Sequence, residues 1–217
     1  LPENNIVTIQ PDSLRILHNP LTGWVLYASM GVDAADFWAQ YDHMYIPELG
    51  HNVSVTDYAH TLYIRASWTE FNPQEDVYGW KIDSNLRAYI EGADQRNMRL
   101  AFRVVVDSRD KRTEFTPQFV KDAGAKGFMN KGKWSPYSDD PVFQKYYTKF
   151  VKALAKDFND PAKVEFIDGF GLGKWGEYHT MIYSTGDDTP KKAVFDWVTD
   201  IYSQAFDKVP VVINYHR

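Results

Sequence analysis

The residues best suited to chemistry lie in one short stretch, residues 168–180, with the sequence Asp-Gly-Phe-Gly-Leu-Gly-Lys-Trp-Gly-Glu-Tyr-His-Thr. The stretch follows a short apolar run at 164–167 and combines glycines, aromatic rings, one glutamate and one imidazole. Such an abrupt change is typical of a buried strand that opens into a functional loop. Glu177 is therefore the residue whose type and position favour a role in chemistry.

The elements that must position this stretch alternate between strand and helix. The sequence predicts strands over 24–28, 61–68, 100–106, 164–170 and 209–214, a short helix around 34–41, and longer helices over 83–96, 141–158 and 190–206. The region 108–140 is predicted as a long loop that is functional or contains small elements of its own. Repeated alternation of this kind favours parallel strands joined by helical crossovers, in a doubly wound sheet or in a barrel.

Two arginines decide between these architectures. Arg65 and Arg103 occupy comparable positions on the polar faces of the second and third predicted strands. A doubly wound sheet is covered by helices on both faces and should be apolar on both, whereas a barrel interior can hold charged groups. The sequence therefore predicts an α/β fold of the (β/α)8 TIM-barrel type.

The length of the chain predicts only the N-terminal portion of such a barrel, with about five strands, because a complete one takes about 250 residues. We expect an irregular lead-in over residues 1–20 and the partial barrel over 21–217. An open barrel exposes backbone donors along its edge strands. We therefore expect the missing C-terminal part of the barrel, or another chain, to cover the open edge.

Composition excludes several classes of function. A formal net charge of -5 provides no basic field for a phosphate backbone, so nucleic acid is not expected as a partner. No apolar run approaches the roughly 20 residues of a membrane span. There are no cysteines, and the six histidines lack His-x-x-x-His spacing, so neither a metal centre nor a cofactor is expected. The chain begins Leu-Pro-Glu-Asn-Asn, from which we expect a removed signal peptide and a secreted or periplasmic protein.

Two glycine motifs resemble nucleotide-binding sequences without their context. Gly171, Gly173 and Gly176 fit the dinucleotide pattern G-x-G-x-x-G after a strand, but no apolar helical period follows them. In residues 127–133, which resemble a phosphate-binding loop, Trp134 stands where the magnesium-binding Ser or Thr is required. An oxidoreductase is therefore only the third hypothesis.

The second strand and the loop after it carry a family resemblance. Arg65, Trp68, Pro73, Tyr78 and Trp80 follow one another as in the (β/α)8-barrel glycoside hydrolases of the β-galactosidase-like and endoglycanase-like groups. An Asn-Pro pair at 19–20 resembles their usual entry into the first strand. With the glutamate loop after the fourth strand, the similarity covers most of residues 15–217. The sequence Trp-Gly-Glu-Tyr-His in this loop resembles that of a group of bacterial barrel proteins similar to glycosidases.

The resemblance implies a role for Glu177. The matching residue of these hydrolases is the general acid/base, and their nucleophile is a glutamate at the end of the seventh strand, beyond this sequence. In a retaining reaction the acid protonates the leaving oxygen while a carboxylate about 5 Å away attacks the anomeric carbon. Most such families have Asn directly before the acid/base, where this chain has Gly176. This departure keeps open the alternative of a carbohydrate-binding barrel without catalysis.

The other candidate residues would contact or support a carbohydrate substrate. Aromatic rings stack on the flat faces of sugars, although large cores use them too. Candidate stacking platforms are Trp68, Trp134 and Trp175, and His179 is expected to orient Glu177 or bind a hydroxyl group. Candidate substrate contacts at predicted carboxyl ends of strands are Asp107, Arg109, Asn214 and His216. Arg65 and Arg103 lie deeper and are expected to pair with interior acids such as Asp168, as structural support.

Overall fold

The computed structural model describes residues 23–109 and 113–213. The strands are β1 (Trp24–Ser29), β2 (Met44–Ile46), β3 (His51–Val53), β4 (Ala59–Ser67), β5 (Arg99–Val105), β6 (Gly127–Asn130), β7 (Lys133–Pro136), β8 (Val164–Asp168) and β9 (Val211–Val212). The α-helices are α1 (Ala34–Asp42), α2 (Trp68–Phe71), α3 (Gly79–Ile82), α4 (Ser84–Gln95), α5 (Gln118–Asp122), α6 (Pro141–Phe158) and α7 (Lys191–Ala205), and a 3-10 helix covers Val55–Asp57. The lead-in predicted for residues 1–20 lies outside the described part of the chain.

The main sheet has five parallel strands in the order β1-β4-β5-β8-β9. Each strand pairs with the next one along the chain, so the sheet is wound in a single direction. A doubly wound sheet reverses its strand order part-way, whereas a barrel adds every new strand on the same side. The order therefore agrees with the predicted partial barrel and disagrees with the doubly wound alternative.

The two faces of the sheet differ in polarity. Leu62 and Ile64 of β4 and Phe102 of β5 are fully buried, as expected of residues that face the helices. On the opposite, concave face, Tyr63 is half-buried, and Arg65 lies beside Arg103 in the β4–β5 register. The arginines thus occupy the inner face of the barrel wall, as the alternation in the sequence predicts.

Most of the large aromatic side chains fill the layer between sheet and helices. Trp68 is fully buried, and its ring lies 5.2 Å from that of Tyr147 and 5.7 Å from that of Phe150, both on α6. Phe71 packs edge-on against Phe102 of the sheet at 5.9 Å. The aromatic content of the sequence therefore reflects the core more than a sugar-binding surface.

The predicted strand 61–68 ends one residue early because a helix begins there. The Ser67 side chain accepts a hydrogen bond from the Glu70 backbone, and the Glu70 carboxylate accepts one from the Ser67 backbone. This reciprocal capping box fixes the start of α2 at Trp68. The turn directs the Trp68 side chain into the core.

Two hairpins interrupt the strand–helix alternation at opposite ends of the sheet. The β2–β3 hairpin precedes β4 and so lies at the amino end of the strands. The β6–β7 hairpin and α5 occupy the long segment after β5, at the carboxyl end, where the sequence predicts a loop with elements of its own. In the described part of the chain, no helix has the length and apolar content to cross a membrane.

Candidate active site

The loop after β8 is built from left-handed residues. Positive φ angles occur at Phe170 (87°), Gly171 (66°), Gly173 (70°), Trp175 (63°), Gly176 (75°), Tyr178 (59°) and Thr180 (45°). Lys174 and His179 pair as an isolated antiparallel bridge, so the loop folds back on itself with Glu177 near its tip. Left-handed backbone costs a non-glycine residue roughly 1–2 kcal/mol, so contacts from outside the loop must hold this shape. The glycines serve this conformation, and no helix follows them as the dinucleotide motif would require.

Gly176 allows the loop to approach the end of β5. Its φ is +75°, and a Cβ atom at this position would lie 3.2 Å from Val105 Cγ2 and 3.4 Å from the Val104 carbonyl oxygen. Both the conformation and the contact favour glycine. The departure from the Asn of the resembling hydrolases therefore has a local packing reason.

Glu177 is held on the concave face by an ion-paired network. Arg103 donates from Nη1 to Glu177 Oε1 at 2.8 Å and from Nε to Asp168 Oδ2 at 2.7 Å. The Tyr63 hydroxyl donates to the same Asp168 oxygen at 2.6 Å. Burial raises the pKa of Tyr63, and the bond to Asp168 raises it further, so this hydroxyl stays a donor. The predicted pairing of Arg103 with Asp168 is confirmed.

One oxygen of the Glu177 carboxyl group is left for other contacts. The side chain is 34% exposed. Among residues 23–109 and 113–213, no group donates a hydrogen bond to Oε2. Arg103 thus fixes the orientation of the carboxyl group while its second oxygen remains accessible.

Arg65 does not pair with Asp168 as predicted. It donates from Nη2 to the Trp175 carbonyl oxygen at 2.8 Å and lies 3.4 Å from the Tyr27 hydroxyl. Within the described ranges it forms no ion pair, and its buried Nε has no hydrogen-bond partner. The predicted pairing with Asp168 is wrong for Arg65, because Arg103 and Tyr63 already surround that carboxylate.

Asp107 and Arg109 are buried and bind each other, and their contact with substrate stays a prediction. Arg109 donates from Nε to Asp107 Oδ2 at 2.7 Å and from Nη2 to the Thr180 carbonyl oxygen at 2.7 Å. Asp107 also accepts a hydrogen bond from Ser135 of β7 at 3.3 Å. The chain folds back after β5, and Arg109, oriented by Asp107, supports the Glu177 loop through the Thr180 carbonyl oxygen.

The three tryptophans differ in accessibility. Trp68 and Trp134 are buried, so neither is a stacking platform, and these two predictions are wrong. Trp175 is 37% exposed and stacks on His179, with ring centroids 5.3 Å apart and an interplanar angle of 14°. Contact of Trp175 and His179 with a sugar stays a prediction. Asn214 and His216 lie outside the described residues.

Sequence reasoning missed Tyr63 and Tyr147. Alternation along 61–68 places Tyr63 on the same face as Arg65, a signal that could have included it. Tyr147 lies in the apolar stripe of α6, where nothing distinguishes its hydroxyl from the rings around it. In the part of the chain that the structure describes, no group of three or more acidic or histidine side chains could hold a metal ion.

Comparison with solved structures decides the fold. The exo-β-1,4-mannosidase Op5Man5 from Opitutaceae bacterium strain TAV5 matches with a TM-score of 0.56 at 16% identity, over 94% of this chain and 34% of that chain. GH5_18 from Streptomyces cattleya, solved in complex with GlcNAc, matches with a TM-score of 0.53 at 14% identity, over 87% and 43%. The chain has the fold of part of a (β/α)8 barrel.

An endogalactoceramidase also matches, with a TM-score of 0.51 at 12% identity, over 89% of this chain and 48% of that chain. At identities of 12–16% the likeness is one of fold, and it agrees with the barrel fold that the resemblance implied. The partial barrel spans less than half the length of each of these three. No protein-family model matches the chain, and no curated protein does.

Proposed function

We propose that this partial barrel belongs to a retaining glycoside hydrolase that acts on an oligo- or polysaccharide, with Glu177 as general acid/base. The observation that carries the proposal is the Glu177 carboxyl group, which lies on the concave face beyond the carboxyl end of β8, with Oε1 held by Arg103 and Oε2 open. Barrel enzymes place their chemistry at this end of the strands. An acid fixed through one oxygen can present the other to a glycosidic oxygen.

Arg65 supports the retaining geometry. A retaining enzyme needs a second carboxylate about 5 Å from the acid. Arg65 and Arg103 are register neighbours on strands that lie roughly 4.8 Å apart. Of these two arginines, Arg103 alone has carboxylate partners among the described residues. We propose that Arg65 binds the nucleophile, so that the two arginines hold the two carboxylates side by side.

Further strands are part of this proposal. β1 and β9 are the edge strands of the sheet, and Val25, Tyr27 and Val212 of these strands are 46%, 49% and 46% exposed. Unpaired edges and an exposed apolar face favour additional strands. We propose that they come from another part of the same protein or from another chain. Secretion, a periplasmic location and bacterial origin stay predictions.

The proposal is tested with Glu177→Gln in the full-length protein. We expect turnover of glycosides with poor leaving groups to fall by 10²–10⁴-fold, because the amide cannot donate the proton. Turnover of a dinitrophenyl glycoside should fall less, since that leaving group departs without protonation. Glu91→Gln, in an exposed ion pair on α4, is the control and should leave turnover unchanged. Equal turnover in wild type and Glu177→Gln would remove Glu177 from the mechanism.

A carbohydrate-binding barrel without catalysis is the second candidate. The contact between Arg103 and Glu177 favours it, because a carboxylate held by arginine is also the arrangement of a structural ion pair. In that case the wild type would bind oligosaccharides in calorimetry without hydrolysing them, and Glu177→Gln would change only affinity.

A further inference from the structure

The strained residues of the Glu177 loop are held by side chains from three other elements. Tyr147 of α6 donates to the Phe170 carbonyl oxygen at 2.9 Å. Arg65 of β4 donates to the Trp175 carbonyl oxygen at 2.8 Å, and Arg109, after β5, donates to the Thr180 carbonyl oxygen at 2.7 Å. These acceptors belong to three of the loop's four left-handed non-glycine residues, and the fourth is Tyr178. The loop is therefore fixed at its beginning, near its tip and at its end.

The hydrogen bond to the Phe170 carbonyl oxygen is the most deeply buried of the three. Tyr147 is fully buried, and its hydroxyl also lies 2.8 Å from the hydroxyl of Tyr202 on α7. A Cβ atom at Gly171 would come within 2.7 Å of the same hydroxyl, so the turn packs directly on it. Burial raises the pKa of Tyr147, so the hydroxyl keeps its proton and remains a donor.

Phe170 is where the chain leaves the strand direction. β8 ends at Asp168, and Phe170, with φ of 87°, is the first left-handed residue of the path to Glu177. A carbonyl oxygen that could rotate freely at this point would let the whole loop swing relative to Arg103. We propose that Tyr147 is a positioning residue for Glu177, acting through the Phe170 carbonyl oxygen. The catalytic consequence rests on the proposed function, but the conformational one does not.

The alternative role of Tyr147 is to join α6 and α7 through its bond to Tyr202. Two substitutions separate the roles. Tyr147→Phe removes the bonds to both Phe170 and Tyr202, whereas Tyr202→Phe removes only the bond between the tyrosines. Both variants keep their aromatic rings, so the packing of the core is preserved.

Hydrogen–deuterium exchange of the full-length protein reads the conformation directly. We expect backbone amides of residues 169–182 to exchange about fivefold faster in Tyr147→Phe than in wild type, the effect of losing one hydrogen bond. Tyr202→Phe should leave loop exchange unchanged. Amides of β5 serve as the internal reference, so that any global loss of stability is divided out. Equal loop exchange in the two variants, after this correction, would overturn the proposal.

Kinetics provide a second readout where the protein hydrolyses glycosides. Tyr147→Phe should lower kcat about fivefold and change KM by less than twofold, because the loop positions an acid without binding substrate at Phe170. Equal kcat losses in both variants would also overturn the proposal. Absence of hydrolysis by the wild type would refute the proposed function, while loop exchange would still decide the role of Tyr147.

Discussion

Arg103 should couple energetically to Asp168, and a double-mutant cycle can measure the coupling. The guanidinium donates to Asp168 through Nε at 2.7 Å, and Nη2 lies 2.5 Å from the same carboxylate oxygen. The cycle compares Arg103→Met, Asp168→Asn and the double variant with wild type. Asp168→Asn leaves Arg103 paired with Glu177 alone, Arg103→Met leaves both carboxylates without the guanidinium, and the double variant removes the two charges of the tested pair while Glu177 remains.

The exposure of the pair sets the expected size of the coupling. The two side chains are 18% and 17% exposed, between the limits of a surface pair and a buried one. Exposed pairs are worth at most about 1 kcal/mol, and breaking a fully buried pair costs about 3–5 kcal/mol. We expect each single variant to lose about 2 kcal/mol of unfolding free energy, and the double variant about 2.5 kcal/mol. The coupling is then about 1.5 kcal/mol.

Urea denaturation followed by circular dichroism is the assay. A coupling of 1.5 kcal/mol corresponds to roughly 0.5–1 M in the urea midpoint. Arg87 and Glu91 form the control cycle, because they are an exposed ion pair on α4 and should couple by only about 0.3–0.5 kcal/mol. Losses at Arg103 and Asp168 that add to within about 0.5 kcal/mol would refute a direct interaction.

Two further predictions concern the backbone and pH. Gly176→Ala should lower the unfolding free energy by about 1–2 kcal/mol in urea denaturation, because of its left-handed φ and the nearby Val105 side chain. Gly186→Ala, with a similar φ of +78° and no atom within 4 Å of the added Cβ, is the matched control and should lose less. The hydrogen bond from Arg96 lowers the pKa of Asp42, so the stability of this pair is present above about pH 4 and is lost as pH falls through the folded-state pKa. Wild type and Asp42→Asn should therefore differ by about 1 kcal/mol at pH 7 in urea denaturation, and the difference should shrink as pH falls below about 4; a constant difference would contradict this.

The fold could be predicted from periodicity because successive side chains of a strand point to opposite faces of the sheet. Arg65 and Arg103, two residues with comparable places in their strands, are direct register partners. Their shared polar face distinguished the barrel from a doubly wound sheet. Trp68 is buried because the strand ends one residue earlier than predicted, and the Ser67–Glu70 capping box is the sequence signal that marks this end.

The sequence predicted where the candidate site lies along the chain, but it did not predict the contacts that support the site. The change of composition after β8 located Glu177. The burial of Asp107 and Arg109 depends on how the chain folds back after β5, which no local pattern encodes. Likewise, the hydroxyl of Tyr147 gains its role only from the carbonyl oxygen that the distant residue Phe170 turns toward it.

The β2–β3 hairpin provides a remote attachment point. It joins the amino end of β4, whereas Glu177 lies beyond the carboxyl end of β8, so roughly 30 Å of nine-residue strand separates the two. Leu49 at its turn is 57% exposed. Since residues 1–217 contain no cysteine, Leu49→Cys would be the one thiol of this segment, available for a fluorophore or a solid support, with the face that carries Glu177 directed away from it.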